Sequence, residues 1–120
     1  MEIRKMIINH GLDGDHSLTS WAIELKVRQR SGGAYALGIE LLPNGEIPVK
    51  YVGRADHDLN NRLKEHASEG RYKYFAFIYC ASVVAAYEKE CELYHNFGNL
   101  DNAVHPIKPN PSCKCPHCGT

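Results

Sequence analysis

Six side chains in this 120-residue chain are spaced so that one site could gather them: Tyr35, Tyr51, Arg62, His66, Glu90 and Asn102. Arg62 and His66 stand four apart in a segment of helical type, Leu59 to His66, so both would project from one helix face. Each tyrosine falls in an apolar, strand-like run, while Glu90 lies in an amphipathic helical stretch with Asn102 one turn-rich loop beyond it. Phosphodiester hydrolysis needs an activated water, charge compensation on the phosphoryl oxygens and help for the leaving alkoxide. Carboxylate, guanidinium, phenol and imidazole supply these parts. One carboxylate completed by phosphate oxygens and waters suits Mg²⁺, which keeps much of its hydration shell.

Individually the residues have ordinary uses too. Arg62 can fork two donors onto a phosphate or pair with Glu65 or Asp58 on a helix surface. The phenols of Tyr35 and Tyr51 titrate near about 10 when free, so a base among them needs a neighbouring cation. Lys50 and Arg54 flank Tyr51-Val52-Gly53 as phosphate contacts, and Gly53 lets the backbone pass close to the site.

The elements that must position these groups follow from periodicity and punctuation. Residues 9 to 17 are turn formers and read as a loop. Trp21, Ile23, Leu25 and Val27 alternate with Ala22, Glu24, Lys26 and Arg28, which predicts a half-buried strand. Gly33 opens a second strand, Tyr35 to Leu42, and Pro43-Asn44-Gly45 turns the chain back into Ile47 to Val52, making the two tyrosine strands antiparallel neighbours. Asp56 or Asp58 caps a helix ending near Gly70, Tyr72 to Cys80 is a buried strand, and Ser82 caps a helix from Val83 to Phe97 that Gly98 terminates. The predicted fold is α+β: a small antiparallel sheet flanked by helices, with an irregular tail holding three prolines between His105 and Pro111.

The order Gly33-Ala34-Tyr35, Tyr51-Val52-Gly53, then Arg62, His66, Glu90 and Asn102 resembles the GIY-YIG nucleases, the catalytic domain of restriction and homing-type endonucleases. The resemblance spans residues 33–106 and rests on six ordered elements rather than one short match. It divides the chain into an N-terminal extension (1–32), a nuclease domain (33–106) and a Pro/Cys-rich tail (107–120). It implies a metal-dependent DNA endonuclease using Mg²⁺ or Mn²⁺, in a bacterial or phage cytoplasm. Glu90 would be the metal ligand in preference to Glu88, because Leu93-Tyr94 follows it as in the family's helix. Tyr35 would be the general base or its orienter with Tyr51 bonded nearby, Arg62 the catalytic arginine, His66 an aid to proton transfer, and Asn102 a support of the framework. Two departures stand out. Ala34 replaces the usual branched residue, and no separate DNA-binding domain is evident, so recognition would come from the first 30 residues, the tail, a homodimer or a DNA-targeting partner. A non-catalytic nucleic-acid-binding or protein-interaction module on the same fold is the alternative.

Composition frames this reading. Fourteen basic and fourteen acidic residues give a net charge of zero, which opposes strong autonomous DNA affinity. No apolar run is long enough to span a membrane, and Met1-Glu2-Ile3-Arg4-Lys5 lacks a secretory core, so an intracellular protein of one domain is expected. Of five cysteines, Cys113, Cys115 and Cys118 crowd the C-terminus. In a reducing compartment these read as metal ligands. Cys115-Pro116-His117-Cys118-Gly119 has the form of a zinc knuckle, with Cys113 a third ligand and His117, His105, His95, His16, His10 or a second chain the fourth. Cys80 and Cys91 are expected as small buried hydrophobes.

Overall fold

The computed structural model describes residues 11–119. Four strands, β1 (Asp13–Ser17), β2 (Gly33–Gly38), β3 (Tyr51–Ala55) and β4 (Tyr74–Tyr79), form one antiparallel sheet in the order β1-β4-β2-β3. Three helices cover it: α1 (Ser20–Lys26), α2 (Leu59–Glu69) and α3 (Val83–Asn96). The class is α+β, as expected.

Strand alternation sends successive side chains to opposite faces, and the chain uses the two faces differently. Tyr35 and Leu37 of β2 join Phe75 and Phe77 of β4 in an apolar cluster with Ile23, Val27, Leu59 and Leu63 of the α1/α2 layer. Ala34, Ala36, Val52 and Ala76 face the other way, against Leu93 and the adjoining Phe97. Small residues on this second face let α3 lie close over β2 and β3. Ala34, the departure from the motif, is therefore a fully buried spacer beneath α3.

Side-chain caps fix the helix starts. Thr19 accepts from the Ala22 amide, Asp58 from Asn61 and Ser82 from Ala85, each satisfying an orphan N–H of the first turn. Gly70 closes α2 in left-handed backbone, φ 74°. The chain leaves α3 through an extended Phe97, and the left-handed residue beyond is Asn99 rather than Gly98.

Four expectations are corrected. Residues 20–26 form a helix, not a strand: Ile23 and Val27, four apart, are buried, whereas Trp21 and Leu25 point outward and are 75% and 50% exposed. Period two and period 3.6 both fit this short run, and the Thr19 cap decides between them. Part of the supposed loop is the edge strand β1, whose pairing with β4 and contact of His16 with Phe75 and Phe77 outweigh its turn-forming composition. Residues 9 and 10 lie outside the described residues. β2 ends at Gly38, leaving Ile39 and Leu41 exposed. β3 begins only at Tyr51, although Ile47 and Val49 are buried, because Pro48 offers no N–H to a ladder. The turn around residues 42–46 is present, with Leu42 N–H donating to Glu46 O at 2.8 Å.

Candidate active site

Among the described residues β3 is an edge strand of the sheet, and the candidate site is built around it. On the α2 side, Tyr35 lies across Gly53, its register partner: a Cβ at Gly53 would sit 2.5 Å from the Tyr35 hydroxyl. Glycine is required there because the ring needs the space. A cavity of about 460 Å³ opens at this edge, and Tyr35, Tyr51, Arg54, Arg62, Glu90 and Asn102 all line it.

The buried Tyr35 hydroxyl is 2.8 Å from His66 Nε2. Burial lowers the His66 pKa and so favours the neutral ring. His66 Nδ1 faces Glu69 Oε1 at 3.6 Å. The Glu69 carboxylate on that side favours the tautomer protonated at Nδ1, in which Nε2 accepts from the phenol. Burial also pushes the Tyr35 phenol well above the usual range, while the Arg62 guanidinium beside the hydroxyl works in the opposite direction. Arg62 ion-pairs with Glu65 at 2.7 Å as well, the surface pairing foreseen for it. The Tyr51 ring packs 5.5 Å from His66.

Across the strand edge, Arg54 points to the α3 side. Its Nη1 donates to Glu90 Oε1 and its Nε to Asp56 Oδ1, each at 2.8 Å, and its guanidinium lies 5.4 Å over the Tyr87 ring. Burial pushes the Glu90 carboxyl up and Arg54 draws it back down. Glu90 is buried, whereas Glu88 is exposed.

Asn102 clamps the strand edge. Its Oδ1 accepts from Val52 N–H at 3.0 Å and its Nδ2 donates to Val52 O at 2.8 Å, reproducing a ladder partner with one side chain. Lys50 is held by its backbone, donating to Leu37 O and accepting from Asp101 N–H, and it does not line the cavity.

Among the described residues, His95, His105, Cys115 and Cys118 present ligand atoms within 4.8 Å of one another, a set that could bind a metal such as zinc. The tail-only set is not the one brought together. Cys113 shares an apolar cluster with Tyr87, Cys91 and Cys115 but is not in the four-residue set, and the His117 ring lies 5.6 Å from that of His95. His16 pairs with Asp13, and His10 lies outside the described residues. Cys115 is buried, which opposes ionisation. The N–H groups of His117 and Cys118 nevertheless aim at its sulfur and hold the thiol below its usual range. Cys91 is buried as expected, its thiol pushed up to about 12 by desolvation, whereas Cys80 is only half-buried and lies outside the core.

Comparison with protein-family models, with curated proteins and with solved structures finds no match for this chain. Among the described residues, no helix is long and apolar enough to cross a membrane. Sequence reasoning missed Glu69 and Asp56, partners of His66 and Arg54. Glu69 follows His66 by three residues on one helix, and that spacing was the available signal.

Proposed function

We propose that this chain is a divalent-metal-dependent endonuclease of GIY-YIG type that hydrolyses DNA phosphodiester bonds. One observation carries the reading: five of the six residues singled out by type and order line a single cavity, and the sixth, His66, is hydrogen-bonded to the first.

Two carboxylates, Glu90 and Asp56, converge on the one guanidinium of Arg54, so the cavity wall keeps a surplus negative charge suited to a hydrated cation. Glu90, with Asp56 beside it, would hold Mg²⁺ or Mn²⁺. The bound cation supplies Lewis-acid polarisation of the scissile phosphate. The protein's own groups handle the proton. Tyr35 Oη accepts it from the attacking water while its own proton passes to His66 Nε2, and the imidazolium so formed is stabilised by Glu69. Tyr35 rather than Tyr51 takes this role because its hydroxyl is the one bonded to His66. Arg62, beside that hydroxyl, neutralises charge on the phosphoryl oxygens. DNA is the expected substrate, with recognition supplied by a homodimer or a DNA-targeting partner.

The test is nicking of supercoiled plasmid with Mg²⁺ or Mn²⁺. Glu90→Ala should lose at least about 10²-fold in rate, the scale of removing one transition-state charge stabiliser. Absence of metal-dependent nicking across varied DNA substrates would overturn the assignment, and unchanged nicking in Glu90→Ala would overturn the choice of ligand.

A further inference from the structure

We propose that His95, His105, Cys115 and Cys118 form a closed tetrahedral zinc(II) centre, and that this centre fixes the cavity wall made by residues 104–107. The coordination claim stands on its own geometry; the role in substrate binding rests on the endonuclease reading.

Zinc–nitrogen bonds of about 2.0–2.1 Å and zinc–sulfur bonds of about 2.3 Å at tetrahedral angles place nitrogen ligands about 3.3 Å apart and nitrogen and sulfur about 3.5 Å apart. His95 Nε2 and His105 Nε2 are separated by 3.2 Å, and Cys118 Sγ and His105 Nε2 by 3.5 Å. Two of the six edges of the tetrahedron are already at ligand spacing, and all four ligand atoms lie within 4.8 Å of one another. His105 Nδ1 lies 3.0 Å from Pro106 O, an atom that can only accept, so the ring proton sits on Nδ1 and the Nε2 lone pair is free to ligate. Zinc ligation commonly uses this orienting bond. The knuckle is also formed: Gly119 N–H donates to Cys115 O at 2.8 Å, with Gly119 in left-handed backbone at φ 75°. On loading, the two thiols release their protons to solvent, and two thiolates balance the charge of the ion.

The consequence for the cavity follows from what else holds its wall. Val104, His105, Pro106 and Ile107 line the cavity, but Val104 and Ile107 are 63% and 72% exposed. Within this wall only Pro106 is buried, so apolar burial holds the segment at a single residue. Asn102 anchors it on one side through Val52, and His105 would anchor it on the other through the metal. His95 lies in the last turn of α3, five residues beyond Glu90, so the ion would tie the wall to the helix that carries the proposed catalytic carboxylate. Hence zinc would position the cleft without touching substrate.

The full chain, purified from zinc-supplemented culture, should carry one zinc per chain. Its cobalt derivative should show thiolate-to-cobalt charge transfer with tetrahedral d–d bands. His95→Ala, His105→Ala, Cys115→Ser and Cys118→Ser should each lose most of the metal, whereas Cys113→Ser and His117→Ala should keep it. Full zinc in both His95→Ala and His105→Ala, or its loss in His117→Ala, would overturn the ligand set. His95→Cys guards against simple misfolding, since it should retain zinc with an altered cobalt spectrum. Cys118 lies outside the cavity lining, so Cys118→Ser tests the positioning role. Amide exchange in residues 103–108 should quicken at least about tenfold in that variant, and a fluorescent duplex in Ca²⁺ should bind about tenfold more weakly. Unchanged exchange there would refute the positioning role. Intact zinc and protection in a protein that never nicks DNA would count against the endonuclease reading alone and leave the zinc centre standing.

Discussion

Gly53→Ala isolates the contact on which the site's geometry depends. The added Cβ would lie 2.5 Å from Tyr35 Oη, 2.6 Å from Cζ and 3.0 Å from Cε1. Unstrained carbon contacts fall at about 3.5–4.0 Å, so the ring must retreat by about 1 Å. It has nowhere to go: Tyr35 is 1% exposed, packed among the apolar residues of the α1/α2 layer and bonded to His66. Overpacking of this kind costs about 1–3 kcal/mol, which for a domain of this size lowers Tm by roughly 4 °C per kcal/mol. A displacement of about 1 Å in a reacting group costs on the order of 10²-fold in rate, so nicking should fall much further than stability requires. Chemical denaturation of a double-mutant cycle with Tyr35→Leu measures the contact itself. Shrinking the ring's partner space should matter only while the ring is present, so Gly53→Ala should cost under about 0.5 kcal/mol in the Tyr35→Leu background. An equal cost in both backgrounds, or a wild-type-like Gly53→Ala single variant, would refute this packing argument.

His66 titrates below its ordinary 6.5 because burial disfavours its charged form, so as pH falls the unfolded chain takes up the proton first. Its contribution to stability is full above about pH 6.5 and is lost as pH drops through the lower folded value. Tm recorded from pH 7.5 to 5 should decline more steeply for wild type than for His66→Gln, and parallel curves would dismiss the effect. Asn102→Ala leaves both Val52 backbone groups without their partner and should cost about 1–3 kcal/mol, while Asn102→Asp keeps the acceptor but repels the Val52 carbonyl and should recover little. Denaturant midpoints decide, and a neutral Asn102→Ala would mean that water replaces the clamp. On α1, Ile23→Ala should cost about 2–5 kcal/mol and Trp21→Ala less than about 0.5 kcal/mol, the reverse of what their sizes suggest. Similar losses at both would restore the strand reading of that segment.

The parts of the fold legible in the sequence were those where local chemistry and tertiary context agree. Asp58, Gly70 and Ser82 sit at helix ends where their side chains or backbone satisfy orphan groups, and the tyrosine strands lie beside each other as the intervening turn requires. The failures lay where context decides. Asp13–Ser17 has no intrinsic claim to be a strand and becomes one because β4 offers an edge. Residues 20–26 carry two superimposed periodicities, and only packing against α2 and β1 selects one. The cysteine tail pointed to Cys115 and Cys118 and offered His95 and His105 only as alternatives for a fourth ligand. That both histidines, rather than Cys113 and His117, complete a set that could bind a metal is decided by the fold, which brings them into range. For the cavity, order along the chain identified the residues, but it could not show which cations arrive already paired.

That pairing sorts the two arginines. Arg54 is bonded at 2.8 Å to both Glu90 and Asp56, with side-chain exposures of 13% for itself and 11% for Glu90. Arg62 pairs with Glu65 across a contact whose partners are 43% and 52% exposed. Exposed pairs are weak and readily exchanged, whereas separating a buried one strands a charge. An incoming phosphate therefore competes easily with Glu65 for Arg62, which sits beside the Tyr35 hydroxyl, and poorly with Glu90 for Arg54. On the proposed endonuclease reading, the phosphate-contact role expected of both would fall to Arg62, and Arg54 would be the group that favours the charged form of the buried Glu90 and aims it. On that reading a chain of zero net charge could present a cation to an anionic substrate, because of these two guanidinium groups the one that must change partners is the one in the more exposed pair.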